Sequence, residues 1–371
     1  MQHRIKYIAP ILEPSGYGQA ARDYCKALIS AGVDLTIEPM YFGNHDFSSI
    51  SDIKVLAPFI QKNIKYDTLI LHSTPEHWPR LVEEGKTHIG ITLWETDSLH
   101  PSWSNILNTI PIKELWLPNQ FNIDVFSKSC LLPMYKVPYV VDVQKFDANK
   151  TKLKMPLEDR YIFYSIFQWS ARKNPEGLLS AYFSEFTEKD KVLLILKTYT
   201  SGFGELQQRE ASDKINAFRR SMGDMYFPPL FIVTNQLNDR QIVELHNSGD
   251  CYVSPHRSEG WGLPITEAMA AKKPVIATEW SGNMEYCNVN NSLLVGYSML
   301  PVRDMTNIHY GYNGRQNWAE PSIASLKWCM RTAYDNREDG CRLGLNGYET
   351  VKAYTSDNIS KLMMERLKEI R

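Results

Sequence analysis

One stretch constrains the fold of this chain more than any other: the segment Ser254–Ala270, SPHRSEGWGLPITEAMA. It lies between two short apolar runs, CYV and VIA, that are typical of buried strands. Pro264 suits the first turn of a helix, because proline lacks an N–H and that N–H would have no partner there. We therefore predict a strand, a glycine loop and a helix that begins near Leu263.

The glycine loop indicates an anion-binding site. Gly260 and Gly262 allow close approach of the backbone to a ligand, and the first helical amides, from Leu263, point into the same space. Glu259 lies in the loop and Glu267 about one turn into the helix. Because a phosphate gains nothing from nearby acids, we expect these carboxylates to accept hydrogen bonds from hydroxyl groups on either side of it. The predicted ligand combines a sugar, a diphosphate and a ribose; the alternative is a glycine turn with two solvated acids.

Glu259 and Glu267, with seven residues between them, resemble the E-x7-E signature of retaining glycosyltransferases of the GT-B fold, family 4. The runs PVIA and SGN follow where that family has its next strand and loop. The resemblance implies that the first Glu contacts the donor sugar and the second holds the ribose hydroxyls. It also implies that the intervening amides, from Gly260 through Trp261 and Gly262 to Leu263, hold the diphosphate.

The length of 371 residues predicts two domains, because single cores stop growing below this size. Strands and helices alternate twice, which is typical of parallel sheets with helical crossovers. The periodicity fails between 141 and 160, which we interpret as a linker. We predict an α/β protein of the GT-B class, with two Rossmann-like domains facing across a cleft. The domains are 1–150 (acceptor side) and 151–355 (donor side), and a last helix, 356–371, is expected to cross back.

The predicted elements follow from the apolar periodicity and from turn residues. Strands are predicted at 4–9, 34–38, 67–72, 87–93, 113–117, 161–167, 192–197, 230–234, 251–253 and 275–277. Helices are predicted at 16–30, 52–62, 76–84, 101–109, 119–129, 175–186, 206–220, 239–248, from 263, 321–335, 339–353 and 357–369. The stretch 297–318 is predicted to be irregular.

A second glycine loop opens the first predicted helix. Gly16 and Gly18 follow the first strand, and the family resemblance implies that this loop closes on the donor phosphates. The same residues fit the dinucleotide fingerprint G-x-G-x-x-A, with Glu38 twenty positions after Gly18. A six-residue loop containing Pro10 and Pro14 separates the strand from the glycines, which weakens that fit. A nicotinamide or flavin oxidoreductase remains the alternative.

Polar residues are predicted at the carboxyl ends of strands, where ligands of parallel sheets bind. His72 ends one strand, and we interpret it as a packed histidine. Glu95 follows the next strand, at a position where many family 4 members carry a sugar-binding His. We assign Glu95 to the catalytic group with Glu259, to orient the sugar.

Basic residues fall on the same rim as Glu259. Arg172 and Lys173 follow the strand 161–167, and Lys197 ends the strand 192–197. Cations there would stabilise a departing diphosphate, so we place Arg172 and Lys173 in the catalytic group and Lys197 with Asn235 among the donor-binding residues. The family usually has Arg where this chain has Gln168; the alternative for these cations is an exposed basic loop.

Composition excludes some classes of partner. The net charge of −1 gives no global basic field for nucleic acid or an anionic membrane. No apolar run resembles a signal peptide or spans a bilayer, so we expect a cytoplasmic protein without stable membrane insertion. The six scattered cysteines form no C-x-x-C pair and are predicted to be reduced core residues.

The predicted reaction moves a hexosyl unit from a nucleotide sugar, such as a UDP- or GDP-hexose, to an acceptor hydroxyl. The resemblance implies retention of anomeric configuration. No D-x-D or H-E-x-x-H occurs, so we expect no metal and no cofactor. The acceptor is left open among glycans, lipids, small molecules, proteins and, less favoured by the charge, modified DNA. A catalytically silent GT-B binding module is the third hypothesis.

Overall fold

The computed structural model describes residues 3–41, 50, 53–154, 159–200, 203–304 and 311–370. Its strands are β1 (Arg4–Ala9), β2 (Asp34–Pro39), β3 (Thr68–His72), β4 (Thr87–Ile91), β5 (Glu114–Leu117), β6 (Met134–Lys136), β7 (Tyr161–Gln168), β8 (Val192–Tyr199), β9 (Leu230–Val233), β10 (Cys251–Ser254), β11 (Val275–Thr278), β12 (Leu293–Val295), β13 (Tyr297–Pro301) and β14 (Asn317–Pro321).

Its α-helices are α1 (Gly16–Ser30), α2 (Ile53–Leu56), α3 (Pro101–Thr109), α4 (Gln120–Ser127), α5 (Val143–Ala148), α6 (Pro175–Glu185), α7 (Glu205–Met222), α8 (Asp239–Ser248), α9 (Leu263–Ala270), α10 (Ile323–Asp335), α11 (Arg337–Val351) and α12 (Ser356–Glu369). Short 3-10 turns connect several of them, at Ala57–Phe59, Pro75–Arg80, Ala171–Lys173, Gly282–Glu285 and Lys352–Tyr354.

The chain divides into two compact units. Unit 1 comprises 1–142, 301–317 and 353–371, and unit 2 comprises 143–300 and 318–352. The first boundary therefore lies eight residues before the predicted one at 150, and the C-terminal segment with α12 is part of unit 1.

Unit 1 contains a six-stranded parallel sheet in the order β2-β1-β3-β4-β5-β6. Within this unit α12 is joined to the sheet by a partly buried ion pair, in which Arg366 Nη2 lies 2.7 Å from Glu114 Oε2. Tyr24 on α1 donates a hydrogen bond to the Val137 carbonyl. The Arg366–Glu114 ion pair links the last helix to the unit that contains the first strand.

Unit 2 contains a second six-stranded parallel sheet, in the order β12-β11-β10-β7-β8-β9. Its central strand β7 has the sequence YIFYSIFQ, and such an almost continuous apolar run is typical of a parallel strand covered on both faces. Phe163 of β7, Leu194 of β8 and Val253 of β10 are fully buried in one core with residues of α6 and α10.

The two six-stranded parallel sheets confirm the predicted α/β class, and the long periodic elements agree with prediction within a few residues. Two predicted helices are wrong in type or length. The segment 76–84 is a 3-10 turn at Pro75–Arg80, where Pro79 removes an amide, and 52–62 shortens to α2 and a 3-10 turn containing Pro58. Residue 52 lies outside the described residues.

Short elements in apparently irregular sequence were not predicted. The linker 141–160 contains α5, and the stretch 297–318 contains β13 and the start of β14. The strands β6 and β12 have three residues each, which is too short for periodicity to reveal. Residues 155–158 and 305–310 of these stretches lie outside the described part of the chain.

The cysteines are unpaired, and five of the six are buried. Cys341 is the exception: it is exposed on α11, so the prediction that all six are core residues was wrong for this one. Cys341 lies on the exposed face of α11. Because three glycines interrupt the apolar pattern of this helix, its periodicity does not show which face is buried.

Candidate active site

The order of strands in unit 2 reverses between β7 and β10. The chain runs from β7 outward through β8 and β9, and then from β10 outward through β11 and β12 on the other side. In open parallel sheets a ligand binds outside the carboxyl ends of the strands at this point. The loop after β7 carries Arg172 and Lys173, and the loop after β10 carries Glu259.

Hydrogen bonds to backbone carbonyls tie these two loops together. The amide of Arg257 donates to the carbonyl of Arg172 at 2.7 Å, and Arg172 Nη1 donates to the carbonyl of Ser258 at 2.9 Å. Asn174, in the left-handed conformation with φ of 53°, donates from its side-chain Nδ2 to the Pro255 carbonyl at 3.1 Å. The cations after β7 are thus fixed against the loop that carries Glu259.

Glu259 is buried between the two cations. Arg172 Nη1 lies 3.3 Å from its Oε2, and Lys173 Nζ donates to its Oε1. Burial alone would raise the pKa of this carboxyl, but the charges of Lys173 and Arg172 outweigh it and lower the pKa to about 2. The backbone amide of Glu259 donates to Ser281 Oγ at 2.9 Å. Glu259 is therefore a fixed anion at neutral pH.

A buried network of polar side chains fixes the backbone of the loop that carries Glu259. His256 is fully buried, with Nδ1 3.0 Å from Ser254 Oγ and Nε2 3.0 Å from Asn283 Oδ1. Thr278 Oγ1 donates to the His256 carbonyl at 2.6 Å, and Asn283 Nδ2 donates to the Thr278 carbonyl at 2.9 Å. Burial lowers the pKa of His256. The SGN run noted in the sequence thus contributes Asn283, while the role of His256 was not predicted.

The helix α9 begins where the proline predicted it. Gly262 is its N-cap residue with φ of +90°, and a Cβ at this position would lie 2.9 Å from the Tyr286 hydroxyl. The amides of Ile265 and Thr266 donate to the Gly262 carbonyl, so the helical hydrogen bonds do not use the amides of Gly262 and Leu263. Those amides are at the positive end of the helix dipole, where an anion is stabilised.

The loop residues between Glu259 and α9 are enclosed. Gly260 and Trp261 are buried, and Trp261 is only 2% exposed. Tyr286 donates to the carbonyls of Trp261 and Gly262, and its ring lies 5.0 Å from the Trp261 ring. These contacts fix the backbone conformation of the loop where it enters α9.

Glu267 is held by two side chains that sequence reasoning missed. Lys145 Nζ lies 2.9 Å from its Oε1, and His246 Nε2 lies 3.6 Å from its Oε2. Burial raises the pKa of Glu267, but Lys145 and His246 reverse the effect and lower it to about 2. Lys145 belongs to α5, inside the stretch interpreted as a linker. No local sequence signal connects either residue with Glu267.

Lys197 is a buried cation at the carboxyl end of β8, next to β7 in the sheet. It is 5% exposed, and its Nζ lies 5.7 Å from the Tyr199 ring centre and 5.1 Å from that of Phe203. Within the described ranges no carboxylate forms an ion pair with it. Burial lowers the pKa of its ammonium group to about 8.

The remaining predicted donor residues are Asn235 in unit 2 and Gly16 and Gly18 in unit 1. Asn235 is exposed in the loop after β9. Gly16 is the exposed first residue of α1, in unit 1. The Gly18 amide donates to the N-cap hydroxyl of Ser15 at 3.1 Å, and a Cβ on Gly18 would lie 2.2 Å from the Glu13 carbonyl oxygen. Close packing of the α1 start therefore requires Gly18, independent of any ligand.

Two further predictions concern strand ends in unit 1. Glu95 is half-buried in the loop after β4. His72 is fully buried, its Nδ1 lies 2.7 Å from the Tyr7 hydroxyl, and the rings of Tyr17 and Tyr24 lie within 6 Å of it. Burial lowers the His72 pKa to about 3. This environment is that of a packed, neutral histidine.

The described residues contain no group of three or more His, Cys, Asp or Glu side chains arranged to hold a metal ion. Among them no helix has the length and apolar character needed to cross a membrane.

Comparison with known proteins gives one family match over part of the chain and one fold. Residues 228–298 match the family described as glycosyl transferases group 1, a segment that includes Asn235, Glu259 and Glu267. No curated protein sequence matches this chain.

Several solved structures are similar over nearly the whole chain. HepE of Anabaena, in complex with UDP and glucose, has a TM-score of 0.69 at 12% identity, over 99% of this chain and 100% of HepE. Sucrose-phosphate synthase of Thermosynechococcus elongatus has 0.71 at 14%, over 100% and 99%. An E. coli trehalose-6-phosphate structure bound with UDP-2-fluoro glucose has 0.66 at 12%, over 99% of each chain. At these identities the likeness concerns the fold, and it confirms the predicted GT-B fold.

Proposed function

We propose that this protein is a glycosyltransferase that moves a hexosyl unit from a nucleoside diphosphate sugar to an acceptor hydroxyl. The observation that carries the proposal is the convergence of Arg172, Lys173 and Glu259 at the switch point of unit 2, beside the start of α9. The match to glycosyl transferases group 1, over residues 228–298, includes Glu259 and the helix α9. The bound UDP and UDP-2-fluoro glucose in two structures of the same fold support a donor of this class.

The charge at the switch point suits a diphosphate. Arg172, Lys173 and Lys197 supply three cations, and Glu259 supplies one carboxylate, which gives these four side chains a net charge of +2. The amides at the start of α9 add partial positive charge. A diphosphate ester carries roughly two negative charges, and as a leaving group it gains more, so donors fixed here stabilise its departure. Lys197, which is desolvated and has no ion-pair partner among the residues that the structure describes, gains most from an incoming phosphate.

The two carboxylates are hydrogen-bond acceptors in this proposal. Because cations hold the pKa of Glu259 and Glu267 at about 2, neither can donate a proton at neutral pH. Glu259 would accept from hydroxyls of the donor sugar and Glu267 from those of the ribose. Glu95 would orient the sugar, Gly16 and Gly18 would contact the phosphates, and Asn235 would contribute to donor binding.

We further infer that anomeric configuration is retained and that no metal ion is needed. Retention is supported by the E-x7-E spacing and by the trehalose-6-phosphate synthase structure of this fold, described as transferring with retention. The acceptor oxygen would lose its proton to the leaving phosphate on the same face. Side-chain cations would take the place of a metal on the diphosphate. NMR of the anomeric proton of the product tests retention, and activity that vanishes in EDTA and returns with Mg²⁺ would refute metal independence.

The test of the donor proposal is a panel of nucleoside diphosphate sugars, added singly to the purified chain while its Tm is followed. We expect at least one to raise the Tm and to be hydrolysed or transferred. NAD(H) is the matched negative ligand. The proposal is wrong if NAD(H) stabilises the protein and no nucleotide sugar does.

Lys197→Met tests how much a contact between Lys197 and a donor phosphate adds to donor affinity. Within the described structure Lys197 has no carboxylate partner, so its removal leaves no carboxylate unpaired. We expect this variant to fold and to bind the donor at least about tenfold more weakly, the loss of one charge-assisted hydrogen bond. Exposed Lys189→Met is the control. Equal donor affinities in both variants would remove Lys197 from the site.

A further inference from the structure

Ser281 has a backbone conformation that glycine ordinarily adopts. Its φ of 82° and ψ of −154° lie outside the left-handed helical region, in a part of the φ/ψ map that is essentially restricted to glycine. The other non-glycine residues with positive φ in the described ranges have φ between 51° and 61°. Ser281 is also buried, at 3% exposure. Such a conformation persists only where the surrounding structure enforces it, and such residues cluster at functional sites.

The turn at Ser281 holds both polar backbone groups of Glu259. The Glu259 amide donates to Ser281 Oγ at 2.9 Å, and the Gly282 amide donates to the Glu259 carbonyl at 2.9 Å. Ser281 follows β11 and Glu259 follows β10, so the contact joins two neighbouring loops of unit 2. With its N–H and its C=O both bonded, the Glu259 backbone is fixed, and so is the direction in which its side chain leaves the chain.

A buried chain of hydrogen bonds orients the Ser281 hydroxyl. Its oxygen accepts from the Glu259 amide, and its hydrogen is donated to Asn283 Oδ1 at 3.3 Å. Asn283 is fixed in turn, because its Nδ2 donates to the Thr278 carbonyl at 2.9 Å. The Nε2 atom of His256 lies 3.0 Å from the same Asn283 Oδ1. The strained backbone thus places one oriented hydroxyl against one amide.

A glycine at position 281 would form the same turn without strain. It would also keep the hydrogen bond from the Gly282 amide, since that bond involves backbone atoms alone. The hydroxyl is therefore what serine adds at this position, and the hydrogen bond that it accepts comes from Glu259. The strain is retained together with a contact to the carboxylate residue of the candidate site.

We propose, resting on the function proposed above, that Ser281 is a positioning residue whose hydroxyl aims the Glu259 carboxylate at the hydroxyls of the donor sugar. Arg172 and Lys173 keep Glu259 ionised, and the Ser281 hydroxyl fixes the backbone from which that carboxylate projects. Loss of the hydroxyl should impair reaction of the bound sugar. Binding of the diphosphate should change little, because Lys197 and the amides at the start of α9 do not depend on this contact.

Two substitutions separate the hydroxyl from the strain. Ser281→Gly and Ser281→Ala both remove the hydroxyl, but only alanine keeps a Cβ in the strained conformation. We expect the Tm of Ser281→Ala to lie at least about 2 °C below that of Ser281→Gly. In both variants of the full chain, hydrolysis of saturating UDP-glucose, GDP-mannose or ADP-glucose without acceptor should be at least about tenfold slower, the effect of losing one buried hydrogen bond. A purely structural role would instead make the rate follow the Tm.

Calorimetry with UDP, GDP and ADP measures the diphosphate contribution separately. We expect both Ser281 variants to bind the preferred diphosphate within about threefold of the wild-type affinity. Ser292→Ala is the matched control, because Ser292 is equally buried and its hydroxyl donates to Asn291 Oδ1 at 3.0 Å. It should keep the wild-type rate of hydrolysis. Hydrogen exchange of the Glu259 amide should be faster in both Ser281 variants and unchanged in Ser292→Ala.

Four results would overturn the inference. In the first, Ser281→Gly hydrolyses the nucleotide sugar as fast as the wild-type protein; in the second, diphosphate affinity falls by the same factor as the rate. In the third, Ser292→Ala loses as much rate as the Ser281 variants. In the fourth, the wild-type protein binds a diphosphate but hydrolyses none of the three sugars. A wild-type protein that binds none of the three diphosphates refutes the proposed function as well.

Discussion

Substitution of Glu259 by Gln tests the electrostatics of the site in the ligand-free protein. The ordinary pKa of this carboxyl is 4.5, and in the folded protein it is about 2. Since a difference of one pKa unit corresponds to about 1.4 kcal/mol, ionised Glu259 stabilises the fold by about 3 kcal/mol at pH 7. The side chain is 8% exposed, so solvent screens this interaction little. Glu259→Gln removes the charge and leaves Arg172 and Lys173 facing each other.

The sign of the pH dependence follows from the lowered pKa. The stabilisation is fully present above the unfolded-state pKa of 4.5 and is lost as pH falls toward the folded-state value of about 2. We expect Glu259→Gln to lower the free energy of unfolding by about 3 kcal/mol at pH 7 and by only about 1 kcal/mol at pH 3. The free energies of unfolding of the variant and the wild-type protein therefore converge as the pH is lowered.

The assay is urea unfolding at several pH values, with hydrogen exchange of β10 amides to report on unit 2 alone, because two units need not unfold together. Glu279→Gln is the control, since Glu279 is exposed in the loop after β11. It should change stability by less than about 0.5 kcal/mol at any pH. A loss below about 1 kcal/mol for Glu259→Gln at pH 7, or an equal loss at pH 7 and pH 3, would refute the reasoning.

On α11, Gly344→Ala should destabilise the protein by several kcal/mol in thermal unfolding, because the new Cβ would lie 2.3 Å from the Lys272 carbonyl oxygen; Gly340→Ala, with only ordinary contacts to Pro274, should be neutral or stabilise by up to about 1 kcal/mol. Donor affinity should fall as pH rises through about 8, where Lys197 loses its proton, and calorimetry of Lys197→Met should show no such decline. Iodoacetamide should modify one cysteine in the native protein, Cys341, and mass spectrometry of Cys341→Ser should find none.

The sequence by itself determined the two parallel α/β units and the glycine loop into α9. Apolar runs and turn residues are local, so periodicity identified the long elements, and Pro264 with Gly262 fixed the start of α9. The same local pattern placed Glu259 in the loop and the Arg172–Lys173 pair after β7. The rule that carboxyl ends of parallel strands share one edge then predicted that these residues meet.

Only the tertiary structure decided what holds the second carboxylate. Lys145 and Glu267 are 122 positions apart, and the helix that carries Lys145 has six residues in a stretch without periodicity. Its contacts are those of buried Phe146, whose ring lies 5.6 Å from the His246 ring, and the ion pair between Asp147 and Lys272 at 2.9 Å. A short helix has almost no intrinsic stability, so its existence depends on contacts that form only when the chain has folded. For this reason local sequence rules did not reveal the partners of Glu267.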